Sequence, residues 1–347
     1  MATVETLNHL RFSVHGIDLK FTTNSSALAE SVSDLLRPFE CKRVELSGVL
    51  RMHFDAVRRR EDIHVRPTRS SRRLYAGSGL VVGDERRSTW ACDIVADGSR
   101  LIADFGAEGL IVIDGAMSKA QGYLVQPESM QPDIRASFLH FAMMELLKHH
   151  KLYTFHATAL EKHGLGVLIP GYSGRGKTTA FLSLLRSGYR YLSDDHPFLR
   201  ADGGHLEILP FPMKINVTET TIAFFPELRD AQPGAIHQAT PKRYLHAENV
   251  YPGPLGSACE AALILFPNVI DAPHSRLEPL SKHTALKEIL PHCLLVFDPE
   301  VAKEEFRALT SLVRQADCYR LHFGRDVLTL PDLIDPLLEV KRARAGH

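Results

Sequence analysis

Residues 171–178 read Gly-Tyr-Ser-Gly-Arg-Gly-Lys-Thr, a G-x-x-x-x-G-K-[ST] pattern in which each fixed position has its own task. Gly171 and Gly176 let the backbone turn tightly, and Gly174 adds freedom, so successive N–H groups can face phosphate oxygens. Lys177 is long enough to reach β- and γ-phosphates, and the Thr178 hydroxyl suits Mg²⁺. With Ser173, Arg175 and Thr179, these residues form the candidate nucleotide contacts. A pattern of eight residues can arise by chance, but its flanks argue otherwise. Gly164–Pro170 (GLGVLIP) reads as a buried strand, and Lys177–Arg186 (KTTAFLSLLR) as a helix ended by Gly188. Strand, loop, helix is the order this chemistry requires.

Seventeen residues beyond Lys177, the β-rich run Gly188-Tyr-Arg-Tyr-Leu-Ser ends in Asp194-Asp195. An Asp pair on its own is a turn or a helix cap. At the carboxyl end of a strand in a parallel sheet it lies where ligands bind. There one carboxylate can help hold Mg²⁺ and the other can take the proton of an attacking hydroxyl. His156 sits in the strand pattern Tyr153–Leu160, which turns at 162–164 into the strand feeding the loop. Either it is a core or edge histidine, or pairing of the two strands brings it towards the Asp pair, where an imidazole orients a carboxylate.

The elements around these residues fall into two textures. Up to about residue 130, Ile17, Leu19 and Phe21 alternate with polar neighbours, and 49–54, 90–96, 100–105 and 110–113 also read as short strands. Asp97-Gly98 marks a tight turn and 26–36 one helix, so 1–130 is expected to be a β-rich α+β accessory domain. Two prolines in 126–132 mark the expected boundary, and 131–347 the second domain. That domain opens with a helix at 133–150, whose closing Lys148, His149 and His150 suit the negative end of a helix dipole. Later patterns predict a buried strand at 258–266, helices at 284–290, 301–315 and 330–344, and a strand at 319–323. Pro241-Lys242-Arg243-Tyr244 is either a surface turn or a basic contact for a phosphate.

Seven arginines (Arg58, Arg59, Arg60, Arg66, Arg69, Arg72 and Arg73) fall within sixteen residues. Two readings stand: a solvated, salt-bridging loop, or a docking surface for an acidic protein or peptide. The whole chain is formally neutral, with 41 basic and 41 acidic residues among 347, which argues against an extended nucleic-acid or membrane footprint. No run of 18 apolar residues occurs, and the five cysteines are odd in number and without zinc spacing. No basic stretch followed by an apolar core opens the sequence, and a cytoplasmic protein with reduced thiols is expected.

The run His156-Ala157, Gly164–Ile169, Gly171–Thr178, Gly188-Tyr189-Arg190 and Asp194-Asp195 resembles the catalytic domain of the HPr kinase/phosphorylase-related family. About forty residues carry the likeness, in order as well as in motif. It implies an α/β P-loop kinase domain of the HPr kinase C-terminal and phosphoenolpyruvate-carboxykinase type. It further implies ATP- and Mg²⁺-dependent phosphorylation of a serine on a small protein or peptide, with association of further copies allowed. On this resemblance Lys177 and Asp194 are catalytic, with Asp194 the base. His156 takes the place of a histidine near that base, and Thr178 and Asp195 take the metal. The chain departs from true HPr kinases in having Thr178-Thr179 after the loop lysine's place for Ser and an acidic residue. It has 207–214 where they carry Arg-Gly-Leu-Gly, so a specialised relative is expected. A small-molecule kinase, a carboxykinase-like phosphotransferase and a non-catalytic ATP-binding scaffold are the rivals. The Leu-Ser-Gly-Gly-Gln of ABC-type ATPases and the Asn-Lys-x-Asp of GTPases are absent from the sequence.

Overall fold

Two kinds of apolar pattern divide the chain into two compact units, Met1–His150 and Lys151–His347. The computed structural model describes residues 7–41, 49–78, 91–172, 174–202, 204–230, 232–233, 243–251, 253, 255–293 and 296–345.

In the first unit the elements are β1 (Asn8–Val14), β2 (Ile17–Thr23), α1 (Ser26–Leu35), β3 (Leu50–Val57) and β4 (Arg72–Ser78). They continue with β5 (Ala91–Asp97), β6 (Arg100–Asp104), β7 (Gly109–Asp114), β8 (Lys119–Val125) and α2 (Pro132–Lys148). The strands form one eight-stranded sheet in the order β1-β2-β3-β8-β7-β6-β5-β4. Leu19 and Phe21, Met52 and Phe54, and Ala120 and Leu124 alternate inwards, as a half-buried sheet requires. Gly122 is demanded by packing, because a Cβ there would stand 2.3 Å from the Phe54 ring. The turn after Asp97 is made by Gly98, at φ 64°, and Ser99, with Asp97 paired to Arg100.

Helix α2 corrects the expected boundary. It packs in the first unit, with Phe138 and Phe141 edge-on to Phe105 at 4.9 and 5.7 Å. Its apolar residues match that sheet, so a composition shift at 126–132 marked a loop within the unit. Its terminal histidines have separate tasks: His149 lies against Gly115, and His150 Nε2 is 3.0 Å from Ser118 Oγ. The arginine cluster is partly structural. Asp93 and Asp104 oppose each other across β5 and β6, and Arg73 and Arg60 flank them at 3.5 and 2.6 Å. Arg66 donates to the carbonyls of Ile63 and Val65. Among the described residues Arg58, Arg69 and Arg72 are exposed and make no ion pair.

The second unit begins with β9 (Tyr153–Thr154), β10 (Ala157–Lys162), β11 (Leu165–Pro170), α3 (Lys177–Arg186) and β12 (Arg190–Ser193). Next come β13 (Phe198–Asp202), β14 (His205–Leu209), β15 (Ile215–Val217), α4 (Glu219–Phe224), β16 (Gln232–Pro233) and β17 (Arg243–Leu245). It ends with β18 (Cys259–Val269), β19 (Arg276–Pro279), α5 (Lys282–Ile289), α6 (Pro299–Gln315), β20 (Asp317–Phe323) and α7 (Leu330–Ala345). Nine strands form the main sheet, β12-β10-β11-β18-β14-β13-β9, with β20 beside β18 and β19 outside it. β11, β18 and β20 are parallel neighbours, and β10 runs antiparallel to β11 and β12.

The central strands are buried on both faces, which is why they read as continuous apolar runs. Val167, Ile169, Leu263 and Leu265 pack with Phe181 and Leu184 of α3 and Ile334 and Leu338 of α7. Leu168, Ile264 and Phe266 pack the other way, with Ile289 of α5 and Leu309, Leu312 and Val313 of α6. The chain is thus mixed α/β, with this sheet layered between helices. One expected strand is two: β9 pairs with β13, whereas β10 pairs with β11 and β12. Phe155 and His156 lie in the break, where the backbone changes partners.

Candidate active site

Three parallel strands deliver their carboxyl ends to one place. β11 ends at Pro170, and the loop that follows returns as α3 at Lys177. Gly176 caps α3 at φ 89°, and a Cβ there would also meet Phe323 at 3.0 Å and Val269 at 3.1 Å, from the ends of β20 and β18. Conformation and space therefore both require glycine. Gly174 is left-handed as well, at φ 81°. Gly171 lies against Lys177 and Pro267. The first N–H groups of α3, those of Lys177, Thr178 and Thr179, have no partner within the helix and carry the positive end of its dipole, which favours an anion. Arg175 is exposed, and Thr178 and Thr179 are half-buried; Ser173 lies outside the described residues.

β12 brings the Asp pair to the same end. The backbone that carries it is pinned to β10: Thr158 Oγ1 donates to the Asp194 carbonyl at 2.8 Å, and the Ala157 N–H to that of Asp195 at 3.0 Å. Ser193 Oγ accepts the His196 N–H at 3.1 Å. The two side chains then enter unlike surroundings. Asp194 is buried; its Oδ2 accepts the Asn216 N–H at 3.4 Å, and its Oδ1 makes no hydrogen bond among the described residues. Burial, aided by the neighbouring Asp195 charge, raises its carboxyl to about 6 against the pull of Lys177. Burial would raise Asp195 too. Three cationic or cation-forming neighbours, His156, His196 and Lys177, override it and hold that carboxyl well below the usual range.

The structure brings His156 and Lys177 to Asp195. His156 Nδ1 stands 2.9 Å from Oδ1 and Lys177 Nζ 3.5 Å from it, while Lys177 Nζ also contacts His156 Nε2. An ammonium can only donate, so Nε2 accepts and Nδ1–H donates to Asp195. His196 Nε2 reaches Asp195 Oδ2 at 3.3 Å, and the two imidazoles meet edge to face at 5.9 Å. His156, Asp195 and His196 thereby hold three ligand-type atoms within 4.8 Å of one another.

Two neighbours were missed in the sequence. His196 follows the Asp pair directly, so its signal was present. His292 gave none, since only folding brings it here. Its carbonyl accepts the His156 N–H at 2.7 Å, and its ring lies 4.6 Å from that of Tyr172 in the loop. It is buried, its Nδ1 makes no hydrogen bond among the described residues, and burial lowers it to about 4, with the charges of His156 and Lys177 adding to the effect. Other candidates lie elsewhere: Glu207 pairs with Arg200, and Arg243 is engaged by Glu219 and the Arg229 carbonyl. Pro241 and Lys242 lie outside the described residues.

No family model matches the chain. Over 92 residues it is 30% identical to an HPr kinase/phosphorylase of Exiguobacterium sp. (strain ATCC BAA-1283 / AT1b), which is 26% of this chain and 29% of that protein. Over that stretch the chain resembles HPr kinase/phosphorylase. The chain spans less than a third of the curated relative it matches. A solved HPr(Ser) kinase/phosphatase from Coxiella burnetii matches 56% of this chain and 92% of its own, at 15% identity and a TM-score of 0.31. So loose a superposition carries no argument, and the similarity rests on the sequence match. No helix among the described residues is long and apolar enough to cross a membrane.

Proposed function

We propose that the second unit is a P-loop serine kinase of the HPr-kinase-like type, using ATP and Mg²⁺ to phosphorylate a serine of a small protein or peptide. The observation that carries this reading is the convergence of Lys177, His156, Asp194 and Asp195 at the amino end of α3. The residues fit the group they are asked to hold. The amino-terminal amides of α3 and the left-handed glycines suit phosphate oxygens, and Asp195 is an anion held ready beside them. When bound, Mg²⁺·ATP would supply the phosphoryl group and a divalent charge, with Thr178 and Asp195 holding the ion.

The remaining work belongs to the chain itself. Asp194, at about 6, is largely ionised at neutral pH yet basic enough to take a hydroxyl proton at Oδ1, which has no hydrogen-bond partner among the described residues. Lys177 brings its ammonium to the amino end of α3, next to phosphate-facing amides, and so opposes charge growing on the transferring group. His156 bridges Lys177 and Asp195 and fixes where both point. The first unit is proposed as the docking unit for the acceptor, in a cytoplasmic setting that suits the free thiols of Cys41, Cys92, Cys259, Cys293 and Cys318. Incubation with labelled ATP, Mg²⁺ and serine peptides tests the reading: label should reach the peptide with the wild type and not with Lys177→Ala. Equal labelling by both proteins refutes it.

A further inference from the structure

The eight-stranded sheet of the first unit ends in two edges, and the chain treats them differently. Beyond β1, residues 40–41 cover the outer side: Glu40 bridges Phe12, and the Cys41 N–H donates to the Arg11 carbonyl at 3.1 Å. β4 pairs with β5 alone, and among the described residues nothing bonds to the backbone on its other side. Such an edge is a row of N–H and C=O groups that an extended chain can continue. The register shift between Arg73 and Tyr75 leaves a regular run at 75–78, directly after the arginines. Ala76 and Gly77 in that run are exposed and small, which leaves room for a neighbour.

The loop leading to β4 carries the charge and is held in place. Arg60 grips Asp104 at 2.6 Å, buried Ile63 packs on Ile102 and Leu110, and Thr68 bonds Asp97 through its hydroxyl and its N–H, the latter at 3.3 Å. Asp97 also takes Arg100 at 2.6 Å, and Asp62 accepts the Arg59 N–H at 3.0 Å. These carboxylates are engaged within the fold. The seven arginines in sixteen residues have only Glu61 and Asp62 among them to offset their charge.

We propose that β4 binds an extended acidic peptide segment, which joins the sheet as a further strand and sets its carboxylates against Arg69 and Arg72. Backbone pairing grips any extended sequence, and the arginine forks, which match carboxylates, select the acidic one. A second copy of the chain is the other strand that would add there. It brings the same arginines against themselves, and like charges oppose that pairing. The inference deepens the proposed function by naming the class of acceptor, and it rests on that reading for the link to the acceptor serine.

The test needs neither nucleotide nor turnover. A fluorescent peptide of alternating Glu and Val is titrated into the full chain and followed by anisotropy, beside a counterpart with Gln for Glu. The Glu peptide should bind at least about tenfold more tightly than the Gln peptide. Methylating the amide nitrogens of its odd residues, or of its even ones, blocks one edge of the peptide at a time. One pattern should abolish binding and the other leave it, whereas attraction by charge alone is indifferent to which edge is blocked. Arg69→Glu combined with Arg72→Glu should bring the Glu peptide down to the affinity of the Gln peptide and leave the latter unchanged. Misfolding cannot produce so selective a loss. Equal affinity for the two peptides in the wild type, or indifference to both methylation patterns, overturns the inference. Failure of the Glu peptide to bind does so too, and a dimer in sedimentation then assigns the edge to a second copy. Labelling of serine peptides without acidic residues would still stand in those cases. Binding of the Glu peptide with no labelling of any peptide would instead remove the kinase reading and leave the docking edge.

Discussion

Replacing Asp194 by Asn should make the protein more stable at neutral pH while abolishing phosphotransfer. The carboxyl is raised from its ordinary 3.8 to about 6, so the folded state prefers it protonated. The unfolded chain releases that proton first as pH rises, so stability is greatest below 3.8 and is lost as pH climbs through about 6. At about 1.4 kcal/mol per unit, the buried charge costs roughly 3 kcal/mol above pH 7 and only about half of one kcal/mol at pH 4. Asparagine removes this cost but places an amide NH₂ at the unpartnered Oδ1 position, a penalty of about 1–3 kcal/mol that does not vary with pH. The constant part cancels when the variant is compared with wild type across pH. Urea unfolding of both proteins with EDTA, at pH 4 and pH 7.5, should therefore give a difference in ΔG that grows by about 2 kcal/mol in the variant's favour. A difference that stays flat between those pH values would show that Asp194 is not the strained carboxylate described. Retained peptide labelling by the variant would show that it is not the base.

Lys177→Ala should lower kcat for phosphotransfer by at least about a hundredfold, measured by peptide labelling at saturating ATP. Gly176→Ala should cost about 1–3 kcal/mol in thermal unfolding and abolish binding of a fluorescent ATP analogue, because φ 89° and the Phe323 contact both resist a Cβ. Wild-type melting and binding in that variant would refute the cap geometry. His292, lowered from 6.5 to about 4, binds a proton more readily unfolded than folded. It thus removes up to about 3 kcal/mol of stability as pH falls from 6.5 through 4, and His292→Phe should flatten that limb of the pH–stability curve.

The parts of the site that could be read in the sequence are those whose geometry is local. In 171–178 each glycine and the lysine are set by neighbours within a few residues, and the strand and helix on either side carry their own periodicities. After residue 258, β18, β20 and the three helices were legible for the same reason, within a few residues at their ends, whereas β19 was not read. Position within the fold was not. The helix 132–148 is apolar in a way its own sequence does not tie to one unit, and its contacts with the first unit, those with Phe105 among them, assign it. The run at 153–160 carries β-rich residues throughout, and nothing in it marks the change of partners at Phe155 and His156. His292 lies in a segment that meets Phe155 and His156 only in three dimensions. The difference between the two aspartates was invisible because identical neighbours differ only in what surrounds them.

That difference has a consequence for how the chain can change. Asp194 and Asp195 are consecutive, and their carbonyls are clamped by Thr158 and Ala157. Their side chains part company, one buried beside the Asn216 N–H and the other among His156, His196 and Lys177, because of where each sits along a single stretch of backbone. Inserting or deleting one residue between Arg190 and Ser193 would put one aspartate at the other's address and carry the second out of both, while leaving both residues in the sequence. The strand leading to them therefore tolerates new side chains far better than a new length. A homologue that keeps both aspartates but shifts that count should be read as having lost the division of labour.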